Sequence, residues 1–473
     1  MGVKISRTGL MLAAASLILG SATPGRSDLP PDRPVWVGTG SCAALACHGQ
    51  RSDPARAGGA EYAYWASYDP HNKAFSVLFD DRSRQIEANY RRLVDVDNAR
   101  AFADDLCLRC HVHQGYDSRD PSAHAPGFAS DDGAGCESCH GPAGKWLAPH
   151  TEAGWRSLSV AQKEADFGFR TTKDLLVRAR ICAECHVGDG SAEVNHDLIA
   201  AGHPRLNFDY AGQLAKLPKH WRVGDDKARH PDYEAKAWAL GRLAGARAAL
   251  DLLESRARRA APDDSRAPWP EFSEYGCFSC HQGLDRTGGR STVKSPGLIP
   301  GSLPWGSWTL ASAPIPGPSP GRLAIGEPES PLGLLRGVMV EADPDPATVA
   351  RRARAAADEL GRRAELLNRS PLSLAEIRAS LADVIAEAPT SLRSDWDTAA
   401  QSYLAIVALR ASLMEFDARY ADPRIRSGLA GMYQELNLPA RDGGALFDSP
   451  VAFDPARIQG DLINVRDALP PHP

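Results

Sequence analysis

The chain has 473 residues, with 54 Lys and Arg against 59 Asp and Glu and a formal net charge of −5. That length allows two or three domains, and no block of like charge marks a nucleic-acid surface or an acidic tail. Hydrophobic content is ordinary for a soluble protein.

The N-terminus reads as a secretory signal. Lys4 and Arg7 precede an apolar run from Leu10 to Leu19, and Gly20 and Ala22 then suit a signal peptidase, so residues 1–22 are assigned to the signal. The run is about ten residues, against roughly 20 for a spanning helix. An uncleaved anchor is the alternative. No cysteine lies at the expected cleavage point, and no later segment is long and apolar enough to cross a membrane. A periplasmic or otherwise exported protein is expected.

Export makes disulfides the default use of cysteine, but the spacing of the ten cysteines argues otherwise. They form five close pairs: Cys42/Cys47, Cys107/Cys110, Cys136/Cys139, Cys182/Cys185 and Cys277/Cys280. Each pair ends in a histidine, namely His48, His111, His140, His186 and His281. Four read C-x-x-C-H, the attachment signature of c-type haem. Two thiols bond the vinyl groups on one porphyrin edge, and the adjacent imidazole reaches the iron. Zinc ribbons also use C-x-x-C pairs, but zinc does not require a histidine after every second cysteine. The first pair, "CAALACH", has two extra residues between its cysteines, and Ala43, Ala44 and Ala46 are small enough to loop out. It is read as a fifth haem site, with attachment through Cys47 alone as the alternative. Five covalent haem c groups then use all ten thiols.

The sixth iron position sets the potential, and methionine raises it. Of five methionines, Met1 and Met11 fall in the signal, and Met339, Met414 and Met432 lie beyond the last motif. Met414 is at helical spacing from Val407 and Ala411, which predicts a core position. Nine histidines remain after the five proximal ones, and all but His472 lie between residues 71 and 230. Mostly bis-histidine, low-potential haems are expected.

His71, His150, His196 and His203 are the preferred distal ligands. His71 follows a proline able to open a helix. His196 and His203 are seven residues apart, which on a helix puts them on one face about 10 Å apart. His113, His124, His220 and His230 rank lower; His113 is too close to His111 to share its iron, and His220 is the best spare. Four good candidates for five irons leave either a weaker histidine in service or one iron open.

Residues 36–290 therefore read as a pentahaem domain with about 50 residues per haem, too few for a large side-chain core. Short helices and loops wrapped around the haems are expected, with little sheet. One long helix is predicted over 233–260, where Leu243, Ala246, Leu250 and Leu253 recur at helical spacing. Residues 291–335 form a Pro/Gly-rich connector, whose Trp305 and Trp308 suggest packing against a neighbour. Residues 336–473 are helical in pattern. Asp345-Pro346 opens a helix with Val349, Ala353, Ala356, Leu360, Ala364 and Leu367 on one face. Two amphipathic stretches follow, so the fold class is mainly α, ending in an antiparallel helical bundle. That bundle is either a docking or dimerising module or a brace for the haem domain.

"GCESCHGPAGKWLAPH", "CAECHVG…VNHDLIAAGHPRLNFDY" and "EYGCFSCHQ" together resemble multihaem cytochromes of the cytochrome c-554 type, a superfamily that includes hydroxylamine oxidoreductase and pentahaem nitrite reductase. The resemblance covers roughly residues 36–290. It implies haems in stacked and perpendicular pairs, electron transfer, and axial roles for His71, His150, His196 and His203. The tetrahaem prototype has one haem fewer. The C-x-x-C-K motif of the nitrite reductases does not occur here. Tyr210 and Tyr275 are present, but nothing in the sequence gives either the cross-linked role found in hydroxylamine-oxidising enzymes.

The leading expectation is an exported pentahaem protein passing electrons between donor and acceptor redox partner proteins. The second is a haem enzyme whose open iron acts on a small nitrogen or sulfur compound. The third is a binding module with structural haems. Partner identities, potentials and oligomeric state are not encoded in any recognisable motif.

Overall fold

A computed structural model describes residues 33–50, 58–94, 101–262, 265, 267–277, 303–311, 314–317, 323–324, 328–391, 395–436 and 455–470. The stretch read as a signal, Cys280, His281 and much of the connector lie outside the described residues. The protein is mainly helical. Among the described residues the strands are β1 (Pro314–Ile315) and β2 (Leu323–Ala324), an antiparallel pair two residues long.

From residue 33 to 231 the helices are short: α1 (Glu61–Tyr68), α2 (Asp81–Val94), α3 (Asp105–His111), α4 (Cys136–His140), α5 (Val160–Phe167), α6 (Leu175–His186), α7 (His196–Ala200), α8 (Tyr210–Lys216) and α9 (Val223–Arg229). Polar side chains fix where they start. Asp104, Asp174, Asn195 and Asp209 each accept a backbone N–H in the first turn, and Ser159 and Gln162 form a reciprocal capping box. Outside α6 and α8 the apolar clusters here are small. One is Val37, Ala143 and Trp146; another is Leu78, Leu108 and Val112.

The rest is built differently. α10 (Tyr233–Ala260) spans the predicted residues and is about 42 Å long at 1.5 Å per residue. It is followed by α11 (Pro331–Met339), α12 (Pro346–Arg369), α13 (Leu374–Ser391), α14 (Trp396–Met414), α15 (Pro423–Leu436) and α16 (Pro455–Ala468). Asp345 caps α12 through Thr348 N, and the predicted face from Val349 to Leu367 is buried. α10 packs along α12 and also against α6, α8 and α14, while α13 packs on α14 and α15 on α16. At Gly241 the α10 backbone is so close to Tyr210 that a Cβ would lie 2.5 Å from that side chain.

One apolar core thus runs from α6 through α10 to α16. Trp305 and Trp308 are buried in it, so residues 303–311 of the connector are packed. Arg242 on α10 holds this segment by donating to Trp308 O (2.9 Å), Ala311 O (2.9 Å) and Gln401 Oε1 (2.8 Å). Two expectations need correction. Met414 is 38% exposed at the last turn of α14, where the helix has run past the core, whereas Met339 and Met432 are buried. His196 and His203 do not share a helix face. α7 ends at Ala200, and Gly202 at φ 117° lets His203 N bond Leu198 O (3.0 Å) and Gly202 N bond Ile199 O (2.9 Å). That is a Schellman stop, which a glycine provides at little cost.

Candidate functional site

Three of the Cys-His motifs end helices, as "CLRCH" in α3, "CESCH" in α4 and "CAECH" in α6. Residues three and four apart on a helix are neighbours, so both thiols and the imidazole of each motif emerge on one side. The first motif is a tight turn instead: Cys47 N and Gly49 N both bond Ala44 O, at 2.8 and 3.0 Å, and the extra residues bulge outward with Leu45 73% exposed. Glu137, inside the third motif, is buried and accepts from Val37 N (3.0 Å), Gly38 N (2.8 Å) and Ala143 N (2.6 Å). It thereby ties the approach to the first motif to the exit of the third.

The thiols also meet between motifs. Cys42 and Cys136 are near enough to affect each other's ionisation, as are Cys110 and Cys185. Burial pushes the thiols of Cys107 and Cys182 up to about 12. A structural zinc takes four converging ligands, commonly a mixture of Cys thiolates and His. Among the described residues no three His, Cys, Asp or Glu side chains converge to hold a metal ion in that manner.

The histidines face one another across larger gaps. His48 and His150 have ring centroids 6.4 Å apart with planes 13° from parallel. His71 and His186 are 6.0 Å apart at 88°, and His140 and His220 are 6.4 Å apart at 63°. Two imidazoles binding one metal from opposite sides, each at about 2.0–2.1 Å, have centroids roughly 6.3 Å apart. Each of these pairs joins a motif histidine to one distant in sequence. His203 and His111 are also electrostatic neighbours.

Second-layer contacts fix the rings. Nδ1 of His48 bonds Glu61 Oε2 (2.9 Å), that of His71 bonds Asp69 Oδ1 (2.8 Å), and that of His111 bonds Ala74 O (2.6 Å). Nδ1 of His150 bonds Leu147 O (2.6 Å), and that of His203 bonds Pro204 O (2.8 Å). Carboxylates and carbonyls only accept, so each Nδ1 donates and Nε2 keeps its lone pair for a metal. Burial drives His140 and His186 down to about 4, with the facing histidine adding to the effect. Burial also lowers His111, His203 and His220. Neutral imidazole is the metal-binding form. The residues present therefore fit haem held through two thiols and two histidines.

Two other histidines are arranged otherwise. His113 and His124 meet Nε2 to Nε2 at 2.8 Å, a direct hydrogen bond with no room for a metal between them. His113 also stacks on Trp36 at 3.7 Å, and burial drives it down to about 4. Sequence reasoning ranked His220 as a spare, yet it faces His140; no local pattern in "LPKHW" signals that. His196 starts α7, with its N–H on Glu271 Oε1 (2.8 Å) and its ring 6.0 Å from Phe272. Of the fifth motif only Cys277 is described, a few residues beyond. Tyr275 donates to Met339 O (3.2 Å), and Tyr210 packs on Gly241.

Residues 41–141 match the family described as Cytochrome c554 and c-prime. The matched span contains the first three Cys-His motifs. It supports a c-type cytochrome, with covalently bound haem c and electron transfer as its work. Neither the curated proteins nor the solved structures yield a match to the chain. No helix among the described residues is long and apolar enough to cross a membrane.

Proposed function

We propose that the protein is an exported pentahaem cytochrome that passes electrons between a donor and an acceptor protein through bis-histidine haems. The observation that carries this reading is the set of three facing histidine pairs at 6.0–6.4 Å, each with one motif histidine. In this assignment His150 is distal to His48, His203 to His111, His220 to His140 and His71 to His186, which leaves His196 for His281. Haem iron supplies one-electron redox chemistry when bound. The chain's own residues bury His111, His140, His186, His203 and His220, which favours their neutral form, fix the rotation of His48, His71, His111, His150 and His203 through Nδ1, and set the order of the sites. The mutual influence of Cys42 and Cys136, and of Cys110 and Cys185, supports first beside third and second beside fourth.

Adding His220 brings the distal candidates to five, so the shortage that motivated an open, substrate-binding iron closes. Protein matured in a cytochrome-c-competent host should carry five covalent haems by mass. It should be fully low-spin in both oxidation states and should not react with carbon monoxide. Bare thiols would overturn the haem reading, and a carbon-monoxide-reactive haem in the parent protein would favour the enzyme.

A further inference from the structure

Among the places where the helical half touches the haem-motif half, one stretch begins at a proposed ligand and is gripped by a buried ion pair. Residues 203–208, "HPRLNF", begin at His203 and end at Phe208, whose ring stacks on His186 at 5.1 Å and 23°. Arg205 lies between them. Its Nη1 and Nη2 donate to Asp397 Oδ1 and Oδ2 at 2.8 and 2.9 Å, with the side chains 10% and 2% exposed. Asp397 is in the first turn of α14 and also accepts from Ser307 Oγ. Trp308 beside it donates through Nε1 to Phe208 O (2.9 Å) and stacks on Trp396 at 5.8 Å and 19°.

The geometry of the backbone links this grip to the histidine. His203 Nδ1 donates to Pro204 O, and that carbonyl belongs to the peptide joining Pro204 to Arg205. Fixing Arg205 therefore fixes the plane of the peptide whose oxygen sets the rotation of the His203 ring. A bidentate arginine–carboxylate pair resists rotation as well as translation, and buried as it is, it is little screened.

We infer that Asp397 and Arg205 are positioning residues for His203, so that α14 of the helical half sets the distal ligation of the iron bound by His111. The inference rests on the proposed ligand role of His203. Outer-layer partners of a ligating histidine typically change metal affinity by about 10–100-fold when removed. In the haem-loaded protein, Asp397→Asn should free His203 from its iron in part. The reduced protein should then bind carbon monoxide at a single haem, with haem content and far-UV circular dichroism unchanged. Arg205→Lys keeps the charge but loses the two-point grip and should act the same way; its result decides the matter if Asp397→Asn does not accumulate. His203→Ala is the reference. If it exposes no carbon-monoxide-reactive haem, the ligand reading itself fails. If it does, while the other folded variants stay silent and low-spin, His203 remains a ligand but the positioning role is overturned.

Discussion

The region from residue 33 to 231 and the region from 233 to 468 solve burial in opposite ways. The second buries Leu, Ala, Val and Trp side chains continuously, from Trp238 and Leu243 on α10 to Leu462 on α16. Apart from α6 and α8, which join that core, the first has clusters of three buried residues, and between them sit paired imidazoles and thiols. One region carries its own core, whereas the other is arranged around groups it must acquire. The junction is α10, which packs on α6 and α8 of the first region and on α12 and α14 of the second.

Blocking haem attachment tests that contrast most severely. Protein made in a host lacking the cytochrome c maturation apparatus should lose amide-exchange protection and become protease-sensitive across 33–231 outside α6 and α8, while α10 and α12–α14 stay protected. Equal protection of both regions would mean that the first has an adequate core of its own.

The next effect should be confined to one iron. His220→Ala removes the ring facing His140, and the reduced protein should gain a carbon monoxide difference spectrum with the amplitude of one haem. His220→Met should instead raise the potential of one haem, because a thioether favours the reduced iron. His124→Ala, which breaks the hydrogen-bonded pair with His113, should alter neither spin state nor ligand binding. A high-spin haem in that variant would undo the division between ligand and non-ligand histidines.

Glu137→Ala probes the little packing the first region has. It leaves the N–H groups of Val37, Gly38 and Ala143 without their acceptor in a buried place. Each such loss costs about 1–3 kcal/mol, so the denaturant midpoint should fall by an amount equivalent to about 3 kcal/mol or more. A shift below about 1 kcal/mol would mean that water replaces the carboxylate.

The sequence made much of this legible, for physical reasons that differ by region. Thiol spacing is a local constraint of the porphyrin edge, so the motifs can be read along the chain. The span of α10 and the Asp345 cap follow from helical periodicity and N-cap chemistry, which are also local. Pairing His140 with His220, or His48 with His150, depends on the path of the intervening chain, and no spacing rule contains it. His196 and His203 misled because their spacing suits a helix, yet Gly202 ends α7 first. The Arg205–Asp397 bond was invisible for the same non-local reason: either residue alone looks like an ordinary surface charge.

The smallest effect belongs to Asp395, at the start of α14 beside that bond. It caps the helix through Thr398 N (2.8 Å), yet burial and the neighbouring Asp397 raise its carboxyl to about 6. In the unfolded chain it would titrate near 3.8. Between those values the folded protein holds a proton that the unfolded chain has released, so stability from this group is full below about pH 4 and is lost as pH rises through about 6. Asparagine caps as well as aspartate and cannot ionise. Asp395→Asn should therefore match the parent at pH 4 and exceed it at pH 7 by about 1–3 kcal/mol, given that a two-unit shift corresponds to nearly 3 kcal/mol before solvent screening. Thermal unfolding of both proteins at the two pH values measures this directly. Parallel pH profiles would mean that Arg205 already neutralises Asp395 as well as Asp397, and that the carboxylate pair is shared by one guanidinium.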